Sequence, residues 1–101
     1  MVKHIILWIL KEEYTDEEKE DIKKGIKEGL EGLEGKIEGL VDIKVNTEPL
    51  ASSNCDLMLD STFKDKESLT RYQANPLHVA VATGKVRPYV AARTCMDYVK
   101  E

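Results

Sequence analysis

Two side chains suited to acid–base chemistry, Tyr72 and His78, lie in one short segment of the chain. The Asn75-Pro76 pair between them favours the start of a helix, because Asn suits the N-cap and Pro suits the first helical position. A helix that begins there can direct the phenol and the imidazole towards one place. His78, with an ordinary pKa of about 6.5, could accept a proton at neutral pH, and Tyr72 could polarise a substrate carbonyl.

The positive end of that helix disfavours an imidazolium, so we predict that His78 is neutral. A purely structural role is the alternative: Tyr72 would pack in the core, and His78 would cap or bridge backbone groups. The segment contains no third side chain that visibly orients the pair. Both interpretations therefore stay open at the level of the sequence.

His4 is a third candidate, although it lies in an apolar segment. The alternation of a strand places it on the same face as Ile6 and Trp8. An imidazole among apolar side chains is either a hydrogen-bonded core residue or, where that face borders a cavity, a group that orients a ligand. The apolar side chains that we predict to contact a ligand are Ile6, Trp8, Leu59 and Val79.

The elements that must hold these side chains predict an α+β domain. β-branched and alternating apolar residues indicate strands, while capping residues and helical spacing indicate helices. The predicted order is strand His4–Leu10, helix from Thr15 to Gly35, strand Val41–Val45, strand Leu57–Phe63, helix from Asp65 through Tyr72, helix from Pro76 to Gly84, and strand Val90–Val99. This β-α-β-β-α-β order is typical of the ferredoxin-like fold, a four-stranded antiparallel sheet with helices on one side, in a single domain of residues 1–101.

The first strand is apolar on both of its faces, with Ile5 and Leu7 on one side and Ile6 and Trp8 on the other. Helices can cover only one face, and the second would leave a large apolar patch in water. We therefore predict a homodimer that packs sheet against sheet and encloses a ligand cavity between the two sheets, with Trp8 in the cavity lining or the dimer core. A monomer with an exposed sheet is the alternative.

Composition excludes several partners. The chain has 15 basic and 19 acidic residues, a formal charge of −4, and no run of basic residues. We therefore expect neither nucleic acid nor an anionic membrane surface as a partner. The apolar run at the N-terminus is too short to span a membrane and has no small-residue cleavage site, which favours a cytoplasmic protein.

The metal-ligating residue types show no ligand spacing. The two histidines lie far from any cysteine cluster, so we predict no metal site. Cys55 and Cys95 are interpreted as buried free thiols in preference to a disulfide.

Three segments of the chain resemble the stress-responsive dimeric A/B barrel (Dabb) family: Lys3–Trp8, Tyr72–Val79 and Val86–Tyr89. The most specific is the aromatic-x-x-His-Pro-x-His-Val type of motif, in which Asn75 replaces the first histidine. The resemblance covers nearly the whole chain. It implies ferredoxin-like protomers that pair into a dimeric α/β barrel.

The same resemblance implies an activity. A plant member of the family, olivetolic acid cyclase, closes a linear polyketide by aldol-type chemistry without a metal or an organic cofactor. By motif, its site residues correspond to Tyr72, His78 and His4. No cofactor is implied for this chain.

Three functions follow, in order of preference. The first is a homodimer that binds a small apolar, aromatic or phenolic molecule, with no assigned reaction. The second is a cofactor-free polyketide cyclase or lyase that uses Tyr72 and His78. The third is a structural, stress-protective protein without catalysis.

Overall fold

A computed structural model describes the whole chain, Met1 to Glu101. Its elements are β1 (Val2–Leu10), α1 (Asp16–Glu31), β2 (Leu40–Asn46), β3 (Leu57–Phe63), α2 (Lys66–Ala74), α3 (Pro76–Val81), a π-helical segment (Ala82–Val86), a 3₁₀ turn (Arg87–Tyr89) and β4 (Val90–Val99). The four strands form one antiparallel sheet in the order β2-β3-β1-β4. The predicted ferredoxin-like fold is confirmed, with β1 and β3 in the centre.

The helix starts follow from short-range capping. Thr15 and Glu18 form the predicted capping box, in which each side chain accepts a hydrogen bond from the other residue's backbone N–H. Asp65 caps α2 by accepting from the backbone N–H of Ser68 at 2.7 Å. Asn75 caps α3 by accepting from the backbone N–H of Leu77 at 2.9 Å. These caps fix the starts of α2 and α3, and with them the backbone positions of Tyr72 and His78.

The helical path after Asn75 is longer than predicted. Gly84 does not end it, because the Arg87 N–H still donates to the Ala82 carbonyl within the π-helical segment. Pro88, which lacks an N–H, lies in the 3₁₀ turn that leads into β4. The extension places Val86 and Arg87 over the sheet.

The two faces of β1 differ in burial. His4, Ile6, Trp8 and Leu10 face the helices and are all buried. The opposite, open face is covered by no helix. It carries large apolar side chains at exposed positions, including Ile9 at 41% and Met96 at 65% exposure.

The prediction of a two-faced strand is confirmed. Of the two positions predicted for Trp8, cavity lining or dimer core, the structure supports the cavity lining. Trp8 belongs to the side that the chain's own helices cover. No helix has the combination of length and hydropathy that a membrane span requires.

Candidate functional site

A cavity of about 460 Å³ lies between the sheet and the helices of the single chain. This volume falls within the usual range for small-molecule sites, roughly 300–1,000 Å³. Most of its lining is apolar. The lining residues are His4, Ile6, Trp8, Leu30, Leu59, Gln73, His78, Ala82, Val86, Arg87, Val90, Ala91, Ala92 and Arg93.

This cavity differs in place from the predicted pocket between two sheets, because its lining residues belong to one protomer. Alternation along a strand shows that β1 has two apolar faces, but not which face the helices occupy. The helices lie on the face of His4 and Trp8, and the cavity lies between that face of the sheet and residues of the helical layer.

His4 is held by an acidic partner from the neighbouring strand. It pairs with Asp97 in the β1–β4 register, and its Nδ1 forms a hydrogen bond with Asp97 Oδ1. A carboxylate can only accept, so the bond fixes Nδ1 as the donor and leaves Nε2 as the other hydrogen-bonding atom of the ring.

Tyr72 and His78 are in contact, as the sequence suggested. Their ring centroids are 4.2 Å apart. The Tyr72 ring also packs against Phe63 at 4.8 Å and lies 6.3 Å from His4. One aromatic cluster therefore joins all three candidate catalytic side chains.

Two polar atoms of this cluster have no hydrogen-bonding partner within the protein: the Tyr72 hydroxyl and His78 Nδ1. Leaving a buried polar atom unpaired costs about 1–3 kcal/mol, so such atoms require an explanation. For His78, which lines the cavity, a hydrogen bond to a ligand would be such an explanation.

Burial sets the protonation states of both side chains. Burial lowers the pKa of His78; an interaction with the Gln73 backbone opposes this shift, and the positive charges of Arg87 and Arg93 act in the same direction as burial. Burial also raises the pKa of the Tyr72 hydroxyl. At neutral pH His78 is therefore an uncharged base and Tyr72 an uncharged hydrogen-bond donor. The direction for His78 is the predicted one, but its main cause is desolvation.

The structure brings together five of the seven side chains that the sequence singled out. His4, Ile6, Trp8, Leu59 and His78 line the cavity. Tyr72 is fully buried against His78 but is not part of the lining. Val79 lies outside the cavity and is 40% exposed, so its assignment as a lining residue is wrong.

Reasoning from the sequence did not identify several of the residues that line the cavity. Arg93 lies opposite Trp8 in the strand register, and Arg87 lies in the 3₁₀ turn. A signal for Arg93 existed: it alternates with Cys95 and Asp97 along β4, and therefore shares their face. Arg87 and Gln73 had no comparable signal.

The donor set that could hold a metal ion is His4, Cys95 and Asp97, whose ligand atoms lie within 4.8 Å of one another. Strand pairing brings these residues together, which their spacing in the sequence did not indicate. Partial burial and the Asp97 carboxylate raise the pKa of the Cys95 thiol. Two of the three ligand atoms, His4 Nδ1 and Asp97 Oδ1, are hydrogen-bonded to each other. Cys55 is half-buried and Cys95 is exposed, which corrects the expectation of buried thiols.

The sequence was compared with models of protein families and with curated proteins. A family model described as the Stress responsive A/B Barrel Domain matches residues 2–100. No curated protein sequence matches the chain.

Several solved structures have the same fold. A dimeric protein of unknown function with a ferredoxin-like fold from Bacteroides fragilis is 30% identical, with a TM-score of 0.89 over 96% of this chain and 93% of that one. A protein from Arabidopsis thaliana is 25% identical, with a TM-score of 0.75 over 100% of this chain and 96% of that one. A Dabb family protein from Mesorhizobium loti is 20% identical, with a TM-score of 0.75 over 99% of this chain and 96% of that one.

Proposed function

Because this chain belongs to the stress-responsive A/B barrel domain family, we propose that it is a homodimer in which each protomer binds a small apolar or aromatic molecule. The ligand site is the cavity between the sheet and the helices of one protomer. The dimer is supported by the dimeric relative from Bacteroides fragilis and by the uncovered apolar side chains on the open face. A face-to-face pairing of the two sheets would bury them.

One observation carries the ligand site: His78 lines an apolar cavity, and its buried Nδ1 has no hydrogen-bonding partner within the protein. A pocket with an apolar wall and a few convergent polar groups is the usual form of a small-molecule site. His4, oriented by Asp97, supplies a second such group on the opposite wall.

Filling the cavity should abolish binding. Ala82 lines the cavity from the helical side and is almost fully buried, so Ala82→Phe would place a phenyl ring in the ligand volume. We expect alkylated phenols such as 4-butylphenol to raise the melting temperature of the wild type and to leave that of Ala82→Phe unchanged. Differential scanning fluorimetry measures both.

The control for this experiment is Val79→Ala, three residues earlier and outside the cavity, which should keep the full ligand-induced shift. If Ala82→Phe melts far below the wild type, the smaller Ala82→Leu replaces it. A ligand-induced shift that survives cavity filling would contradict the proposed site. A wild type that responds to no apolar or phenolic compound would favour the structural, stress-protective function instead.

A second candidate function is cofactor-free acid–base catalysis on an enolisable substrate, as in a cyclase or lyase. The unpartnered pair of Tyr72 and His78 favours it. In this scheme neutral His78 removes a proton from the carbon next to a carbonyl, and the resulting enolate attacks a second carbonyl of the same molecule. The Tyr72 hydroxyl would stabilise the developing oxyanion, and the imidazolium would return its proton to the product.

This candidate predicts a pH profile and a loss of rate. Since burial lowers the pKa of His78, turnover of a 1,3-dicarbonyl substrate should persist below pH ~6.5, the ordinary His value, and fall only when the pH passes through the lowered pKa. His78→Gln should lose about 100-fold or more in rate. Steady-state assays across pH would measure both effects, with Val79→Ala as the active control. Equal rates in His78→Gln and the wild type would contradict the acid–base scheme but not the proposed binding function.

A further inference from the structure

The permanent charges that line the cavity are all positive. Arg87 and Arg93 contribute guanidinium groups, and no Asp or Glu is among the 14 lining residues. The chain as a whole has more acidic than basic residues, 19 against 15. The cavity is therefore electrostatically opposite to the rest of the molecule.

Neither guanidinium is paired with an acid. The four ion pairs of the chain involve Lys3, His4, Lys23 and Lys27 as the cationic partners, and neither arginine is among them. Arg93 lies beside the Cys95 thiol, whose raised pKa keeps it neutral. Asp97, which shares a face of β4 with Arg93, is already hydrogen-bonded to His4. Two arginines without acidic partners at one cavity form a site for an anion.

The apolar and the charged lining residues differ in exposure. Ile6, Trp8 and Leu59 are buried on the central strands. Arg87 and Arg93 are exposed residues of the 3₁₀ turn and the edge strand β4, and we therefore place the charged part of the cavity at its opening. A ligand that contacts both the apolar and the charged part has an apolar body and one anionic end.

We infer that the cavity selects small organic carboxylates, with the carboxylate held between Arg87 and Arg93 at the opening and the apolar body against Ile6, Trp8 and Leu59. This inference rests on the proposed binding function and names the ligand class. The planar fork of a guanidinium matches a carboxylate in a bidentate geometry. Because the arginines remain solvated at the opening, the anion is bound without burying an unpaired charge.

A matched pair of ligands tests the inference. 4-Butylbenzoate and 4-butylphenol share the apolar body, and near neutral pH only the first is ionised. By isothermal titration calorimetry, we expect the wild type to bind the benzoate at least about tenfold more tightly, because its carboxylate makes charge-assisted hydrogen bonds that the neutral phenol cannot make. Raising the salt concentration should weaken benzoate binding selectively.

The double variant Arg87→Gln/Arg93→Gln should lose that preference and bind both compounds with similar affinity. Arg71→Gln removes a charge outside the cavity and is the control, which should keep the preference. Unchanged benzoate affinity in the double variant would overturn the arginine site. A wild type that binds the phenol as tightly as the benzoate overturns the inference but supports the proposed function. A wild type that binds neither compound overturns both.

Discussion

Replacing Leu7 by glutamate is expected to convert the proposed dimer into monomers. Leu7 lies in the middle of β1 on the open face, between Met58 of β3 and Thr94 of β4 in the strand registers. A two-fold interface contains each residue twice, so one substitution introduces two charges. Each buried leucine contributes roughly 1.5–3 kcal/mol, and an unpaired buried charge costs more. We expect dimer affinity to fall by at least about 1,000-fold, since each 1.4 kcal/mol is tenfold.

Sedimentation velocity at micromolar concentration measures this outcome. Leu77→Glu is the matched control, because Leu77 is 48% exposed on α3, in the layer of helices on the other side of the sheet. That variant should sediment as the wild type does. A wild type that sediments as a monomer, or a Leu7→Glu variant that remains dimeric, would contradict sheet-to-sheet pairing.

The location of the cavity adds a second readout for the same variant. Because one protomer supplies all of the lining, monomeric Leu7→Glu should retain the melting shift with 4-butylphenol. A cavity enclosed between two sheets, as the sequence suggested, would instead disappear on dissociation. Binding by the monomer therefore separates the observed cavity from the predicted one.

Local signals in the sequence were sufficient for most of the fold. The capping box at Thr15 and the Asn75-Pro76 pair mark helix starts through hydrogen bonds that span three residues or fewer. Alternation in β2 and β3 marks strands, because side chains on a strand change face at every residue. Tyr72 and His78 were also within reach of local reasoning, since they lie in adjacent helices.

The rest of the site depends on contacts between distant segments. The bond between His4 and Asp97 requires the register of β1 against β4, which no local pattern specifies. The choice of face on β1 depends on how the helices pack. Val79 was misplaced for a geometric reason: successive residues on a helix point about 100° apart, so the neighbour of a lining residue turns away from the cavity.

Gly39 is a further position where distant packing decides the residue type. Its φ is +85°, a conformation that favours glycine, and a Cβ there would overlap the Ser68 side chain. Ser68 cannot move away easily, because it is fully buried in α2 and its hydroxyl donates to Asp65 at 2.6 Å. The absence of a side chain at Gly39 thus allows α2, which carries Tyr72, to lie close to the sheet.

Gly39→Ala is therefore expected to destabilise the protein far more than Gly35→Ala. Gly35 has a similar φ of +80°, but a Cβ there would meet nothing within 4 Å. Gly35→Ala should cost about 1–2 kcal/mol in the free energy of unfolding from backbone strain alone. Gly39→Ala should cost roughly 1–3 kcal/mol more, because α2 must shift to relieve the overlap. Urea denaturation measures the difference, and equal values for the two variants would show that α2 does not depend on Gly39 for its position.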